Sequence, residues 1–202
     1  VLKTFSKNLA RAIRNGAVAV IPTDTLYGIV GSALMPDVVE RIYAIRGRSK
    51  RKPMIVLVAS PRNIARFSVR MSKKQKKLLD ALWPGRVSIV LRCPSDRFRY
   101  LHRGKRSIAF RVPAWKPLLS LLKRTGPLVA PSANPEGRKP ACKAKDSKRY
   151  FGNAVDAYVN GRTLKETAST VVAFKKGKVQ CVRNGAVPFS MIERQWSEID
   201  NR

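Results

Sequence analysis

The run Met54-Ile55-Val56-Leu57-Val58-Ala59 carries no polar side chain and is preceded by Pro53. Six apolar residues in a row, three of them β-branched, suit a strand covered on both faces rather than one with a wetted side. A strand of that kind needs packed layers above and below it, which points to helices laid on a sheet. The rest of the chain supplies them. Ser6 suits the N-cap of a helix reaching about Asn15, with Gly16 as its stop, and Pro36-Asp37 opens another whose apolar stripe of Val38, Val39, Ile42 and Ile45 ends at Gly47. Further helices fit residues 72–82, 115–124 and 191–199. Strands fit 17–21, 87–92, 107–112, 128–131, 154–159, 170–174 and 179–183, and Lys176-Gly177 is a hairpin signal. The sum is an α/β fold with a mixed sheet and flanking helices. No repeat, linker or composition break divides it, so residues 1–202 read as a single domain.

One strand end stands out. The apolar residues 17–21 run directly into Pro22-Thr23-Asp24-Thr25-Leu26-Tyr27-Gly28. Hydroxyls, one carboxylate and a glycine at a strand end suit a polar ligand, since open α/β sheets bind at such ends. A plain Asx/Thr turn closing the unit fits the same residues.

Charge is the oddity of composition. Lys and Arg total 42 against 12 acids, a formal +30, in a chain with an ordinary 44% hydrophobic content. The basic residues are spread along the chain, so the field favours polyanions and opposes compactness. Lys73, Lys74, Lys76 and Lys77 even crowd the first turns of the third helix, the wrong sign for its dipole. Three scattered cysteines, Cys93, Cys142 and Cys181, form no metal spacing and suggest a reduced compartment. No stretch approaches the roughly 18 apolar residues of a membrane span. Val1-Leu2-Lys3-Thr4 shows no charged-then-apolar signal pattern, so a cytoplasmic location is expected; without an initiator methionine, an organelle is the alternative if a targeting segment has been removed.

Elimination narrows the chemistry. The single histidine, His102, falls in an expected basic loop, a poor start for a Ser-His-Asp or Cys-His site. GxxxxGK[ST] and GxGxxG loops are absent, and the acids are scattered without a DxD-like cluster for a pair of metals. What remains is hydroxyls, amides and guanidiniums, groups that bind anions and stabilise developing charge by position. Thr23-Asp24-Thr25, Arg46-Gly47-Arg48, residues 107–111, Ser132-Ala133-Asn134, Ser169-Thr170 and Arg183-Asn184-Gly185 are the candidates. Each of these also has a plain reading as a turn or a solvated basic loop.

Taken in order, the motifs resemble the YrdC-like domain of the threonylcarbamoyl-AMP synthase family. Pro22 to Gly28 is similar to P-T-[DE]-T-x-Y-G; Arg46-Gly47-Arg48 before Pro53-Met54-Ile55-Val56 resembles K-x-R followed by a P-L strand. Trp83-Pro84-Gly85-Arg86-Val87-Ser88, Ala109-Phe110-Arg111-Val112-Pro113, Ser132-Ala133-Asn134-Pro135-Glu136-Gly137, Ser169-Thr170-Val171-Val172 and Arg183-Asn184-Gly185-Ala186 complete the series. The resemblance runs from about Ser6 to Val187.

The resemblance implies a twisted sheet around a basic cavity, in the short form of the family. It implies a nucleotidyltransferase that makes threonylcarbamoyl-AMP and pyrophosphate from L-threonine, bicarbonate and ATP with Mg²⁺, for partner proteins that modify tRNA. Thr25, Arg111, Ser132 and Ser169 would hold threonine. Arg48, Ser107, Asn134 and Arg183 would line the ATP side, with no resident metal; Arg46 and Arg48 would carry the chemistry. Asp24 would orient its loop or touch Mg²⁺. Two departures stand out: Arg46 replaces the family lysine, and Arg86 stands where proline is common. Arg46 together with the charge supports a second reading, a relative that binds tRNA or double-stranded RNA with little or no catalysis. A third, action on another carbamoyl-type substrate, sits less well with Thr25, Arg111, Ser132 and Ser169 intact.

Overall fold

The computed structural model describes residues 5–164 and 167–199. Residues 1–4 of the reading above lie outside them. The first helix, α1 (Lys7–Arg14), begins where Ser6 accepts a hydrogen bond from Leu9 N and is followed by Gly16 at φ 98°. Strands β1 (Ala19–Ile21) and β2 (Gly28–Ser32) follow, then α2 (Pro36–Arg46), closed by Gly47 in the left-handed region at φ 56°. Next come β3 (Val56–Leu57), a 3₁₀ segment over Pro61–Phe67, and α3 (Lys73–Leu82). β4 (Val87–Arg92), α4 (Arg99–His102), β5 (Ser107–Arg111) and α5 (Lys116–Thr125) lead to β6 (Leu128–Val129). The chain then forms α6 (Ala144–Phe151), β7 (Ala157–Tyr158), the hairpin β8 (Thr170–Lys175) and β9 (Lys178–Arg183), and α7 (Phe189–Glu198).

The strands make one mixed sheet in the order β7-β1-β2-β6-β3-β5-β4-β8-β9. Alternate residues of the inner strands enter two cores. Val18, Val20, Ile29, Val56 and Phe110 pack with α2, α3 and Phe67. Ala19, Ile21, Val30 and Leu57 face the other way, against Leu9 and Ile13 of α1 and Leu118, Leu121 and Leu122 of α5. The two-faced burial expected for residues 54–59 is therefore present. Only Val56 and Leu57 pair as regular strand, although Val58 N still donates to Arg111 O and Ala130 N to Ile55 O. Pro53 offers no N–H, so the ladder cannot extend back through it.

Several elements escaped the sequence reading. β2 is hidden by Gly28 and Gly31, which break its apolar pattern, yet Gly31 is where α2 rests. A Cβ there would come within 2.4 Å of Val38 Cγ1. α6 lies in a basic stretch, and its buried face is limited to Ala144, Ser147 and Phe151. His102 is not in a loop. It ends the short α4, is 1% exposed, and its Nδ1 accepts from Gly104 N at 3.1 Å. Such a histidine finishes a helix end rather than serving a cavity. The lysines of α3 are tolerated because Ser72 and Gln75 cap each other's backbone N–H groups, and Lys74 Nζ sits 4.0 Å from the centre of the Trp196 ring.

Candidate active site

A cavity of about 770 Å³ lies over the middle of the sheet, a size suited to a nucleotide-scale ligand. Period-two geometry builds its floor. Ser107, Ala109 and Arg111 of β5 face the cavity while Ile108 and Phe110 enter the core. Val90 of β4, the partner of Ala109, and Val171 of β8 extend the floor. The walls are loops: residues 22–27 after β1, 46–55 between α2 and β3, and 130–140 after β6. The ligand space thus spreads across a sheet face, with the strand-end loop as one of its walls.

Two of those loops are stitched together. Gly28 bridges Ser132, Ile29 N donates to Pro131 O, and Ala133 N donates to Tyr27 O at 2.8 Å. Within the first loop Thr23 Oγ1 receives Thr25 N and Leu26 N and itself donates to Leu26 O at 2.6 Å. Tyr27 is fully buried; its hydroxyl donates to Arg162 O and accepts from Gly161 N. The loop is therefore a hydrogen-bonded polar turn, as the turn reading has it, and it also lines the cavity.

Asp24 supports the deepest part of the wall. Its Oδ1 accepts from Arg111 Nη1 at 2.9 Å and its Oδ2 from Ala114 N at 3.0 Å. Arg111 reaches Thr25 Oγ1 at 3.4 Å, and its Nε is buried without a protein partner. Burial pushes the Arg111 pKa down, and the Asp24 carboxylate opposes that shift. Orientation of the loop is the role these contacts give Asp24. Opposite, Ser169 Oγ lies 2.9 Å from Ser88 Oγ, while Arg183 Nη2 donates to Ser169 O at 2.7 Å and to its hydroxyl at 3.2 Å. Gly185 is what lets these strands meet, because a Cβ there would stand 2.3 Å from Ala168 O.

Part of the cavity lining is cationic. Arg46 is 3% exposed, its Nε donates to Asn134 O at 2.9 Å, and its Nη1 is buried with no protein partner. Burial first, and Arg48 second, push its pKa down to about 10. Arg48 donates through Nε to Lys52 O and through Nη2 to Pro53 O, both at 3.1 Å. Arg183 is likewise pushed down by burial and by the charges of Arg111 and Arg48. Mutually repelling guanidiniums with unused donors form a site that an anion relaxes.

Of the site residues expected from the sequence, the cavity collects Thr25, Arg46, Arg48, Ser107, Arg111, Ser132, Ser169 and Arg183. Asn134 is the exception and lies outside the lining. Its amide donates to Pro135 O and Arg138 O, which shapes the loop behind Arg46. Lys105 and Val182 line the cavity without having been singled out. Nothing local marks Lys105, one of several basic residues before β5.

Comparison with known proteins identifies the family and the fold. The Sua5/YciO/YrdC family model, described as "Telomere recombination", matches residues 11–185. The chain belongs to the Sua5/YciO/YrdC family. A relative from Halorhodospira halophila named threonylcarbamoyl-AMP synthase is 32% identical over 157 residues, covering 77% of this chain and 82% of its own length. Another of that name, from Pyrococcus abyssi, is 29% identical over 93% of this chain but 56% of its own length. Among solved structures, P. abyssi Sua5 complexed with L-threonine superposes with a TM-score of 0.87 at 28% identity, over 93% of this chain and 56% of that one. E. coli YciO, at 21% identity, shares the fold with a TM-score of 0.80 over 93% of this chain and 94% of its own. The chain thus spans little more than half of the P. abyssi family member and most of the shorter ones.

Proposed function

We propose that this chain is a threonylcarbamoyl-AMP synthase, a nucleotidyltransferase that joins L-threonine, bicarbonate and ATP and releases pyrophosphate and water. The observation that carries the reading is that one cavity is lined by two kinds of group. The buried polar Thr25, Arg111 and Ser169 suit a small zwitterion, and the guanidiniums of Arg46, Arg48 and Arg183 suit a polyphosphate. The names of the relatives support the same activity.

In this reading Arg111, braced by Asp24, pairs with the threonine carboxylate, and Thr25, Ser132 and Ser169 supply hydroxyls around it. The threonine amine attacks the carbon of bicarbonate and water leaves, giving a carbamate. A carbamate oxygen then attacks the α-phosphorus of ATP, and the bond to the β-phosphate breaks. Arg46, Arg48 and Arg183 neutralise charge on the leaving pyrophosphate, and the shared cavity supplies proximity. Ser107 on the floor reaches the nucleotide side. Asn134 acts behind Arg46, not on the nucleotide.

Mg²⁺ enters this scheme as part of the nucleotide substrate. Among the described residues no three His, Cys, Asp or Glu side chains cluster, and both oxygens of Asp24 already have partners. The side chains therefore do not fit a resident ion, and no step is assigned to one. Transfer of the product to tRNA by partner proteins, and contact with tRNA through the basic surface, follow from the same reading. No helix among the described residues is long and apolar enough to cross a membrane.

Ligand-dependent melting tests the assignment. L-threonine and ATP should each raise the melting temperature, by about 2.7 kcal/mol of linkage at a hundredfold excess over Kd. Salt-sensitive tRNA binding with no response to threonine would favour the RNA-binding reading instead.

A further inference from the structure

Two walls of the cavity are joined at its rim by one acidic side chain. Glu136, in the loop after β6, reaches the loop that follows α2. Its Oε2 accepts from Ser49 N at 2.6 Å, and its Oε1 takes a very short hydrogen bond from Lys52 Nζ. The backbone adds to the joint, since Glu136 N donates to Arg46 O at 2.9 Å and Arg46 Nε donates back to Asn134 O.

The bridged segment is the one that aims Arg48. Both hydrogen bonds of the Arg48 guanidinium go to backbone carbonyls of Lys52 and Pro53, and Tyr43 Oη donates to the same Lys52 carbonyl. Glu136 grips this turn at its start, Ser49 N, and near its end, the Lys52 ammonium. Its charge also counters the repulsion between Arg46 and Arg48, favouring the charged form of Arg46. The bonds to Lys52 and Ser49 hold the Glu136 carboxyl down at about 2, so the grip is complete at any neutral pH. One exposed ion pair alone anchors a loop weakly; here backbone and side-chain bonds act on the same few residues.

We infer that Glu136 is a positioning residue for polyphosphate binding, a latch that holds the turn of residues 47–53 so that Arg48 points into the cavity beside Arg46. The inference rests on the synthase reading only for the identity of the polyphosphate as ATP. Glu136 itself touches no reacting atom.

The test compares wild type, Glu136→Gln, Arg48→Ala and the double variant. Inorganic tripolyphosphate is the probe, measured by calorimetry, alongside hydrogen exchange of residues 47–53 and KM values for ATP and threonine. Glutamine can still accept from Ser49 N but presents an uncharged group to Lys52, and Lys52→Ala is a second way to open the same joint. Glu136→Gln should weaken tripolyphosphate binding by roughly tenfold, the scale of one charge-assisted hydrogen bond. It should speed exchange in 47–53, raise KM for ATP and leave KM for threonine unchanged, with at most a small fall in melting temperature because the Glu136 contacts are exposed. On the Arg48→Ala background it should add nothing, because its effect passes through Arg48. Lys52→Ala should move the same readouts in the same direction. Unchanged binding and exchange in Glu136→Gln, or losses that add in the double variant, would overturn the latch. A wild type that binds tripolyphosphate with these dependences yet releases no pyrophosphate would overturn the synthase reading and leave the latch standing. Failure of the wild type to bind tripolyphosphate would overturn both.

Discussion

Arg111 Nη1 lies 2.9 Å from Asp24 Oδ1, and each side chain is only 5% exposed. A strand cation and a loop carboxylate, far apart in sequence, thus meet at the base of the cavity, where Asp24 also ties down Ala114 N. Removing one partner of a buried pair leaves the other charge uncompensated. Asp24→Ala should therefore lose about 3–5 kcal/mol of stability in denaturant unfolding. Replacing the pair with apolar residues of similar volume should restore much of the stability but not the response to threonine. A loss under about 1 kcal/mol for Asp24→Ala would show that the pair is not desolvated as described.

Asp156 makes the acid sensitivity of the fold readable. Its carboxylate accepts two hydrogen bonds from Arg41, at 2.7 and 2.9 Å, and one from Val18 N at 2.8 Å, tying α2 to the edge of the sheet. The Arg41 bonds first, and the Val18 bond after them, hold its pKa below the ordinary carboxylate value. A depressed folded-state pKa contributes stability that is present above the unfolded value and disappears as pH falls through the folded one. The pair is partly exposed, so the effect at neutral pH should be about 1 kcal/mol or less. Wild type should exceed Asp156→Asn by that margin at pH 7, and the two should converge below the carboxylate range. A difference that persists in acid would place the effect elsewhere than in ionisation.

Gly185 sets the position of the Ser169 wall. Its added Cβ would lie 2.3 Å from Ala168 O and 2.5 Å from Thr170 N, both backbone atoms that cannot swing aside. Gly185→Ala should cost about 1–3 kcal/mol by overpacking. It should also weaken ligand binding more than an alanine at the exposed Gly177 turn does, measured by the ligand-induced melting shift. Equal binding would show that the Ser169 wall tolerates displacement.

How much of this was legible in the sequence follows from what kind of signal each residue carries. Helix ends came through because their signals are local: Ser6, Pro36 and Gly47 each act on their own turn. β4 matched its expected span because Val87, Ile89 and Leu91 enter the core at strand spacing while Ser88, Val90 and Arg92 take the other face. β2 did not, since Gly28 and Gly31 interrupt its apolar pattern, and the close approach of α2 to Gly31 is seen only in the tertiary structure. The site divides in the same way. Motif order pointed to Thr25, Arg111 and Ser169, whereas Asn134 turned its amide onto its own loop, and Lys105 carried no signal beyond its charge. The grip of Glu136 on Ser49 spans two motifs and could not be read from either.

The +30 charge predicts an unusual response to salt. Screening shortens from about 30 Å at 0.01 M to about 8 Å at 0.15 M, which relieves self-repulsion. The melting temperature should rise by several degrees over that range, while affinity for any polyanion falls. A melting temperature that is flat or falls with salt would mean that the charges are already compensated within the fold.

The central claim is that one cavity activates ATP with threonine and bicarbonate, using Arg46 where the resemblance implied a lysine. Pyrophosphate release from ATP and Mg²⁺, measured with and without L-threonine and with and without bicarbonate, tests it most directly. The account predicts release only when both are present, abolished in Arg111→Ala and strongly reduced in Arg46→Ala. Release that ignores threonine, or its absence from folded wild type and from Arg46→Lys alike, would contradict it.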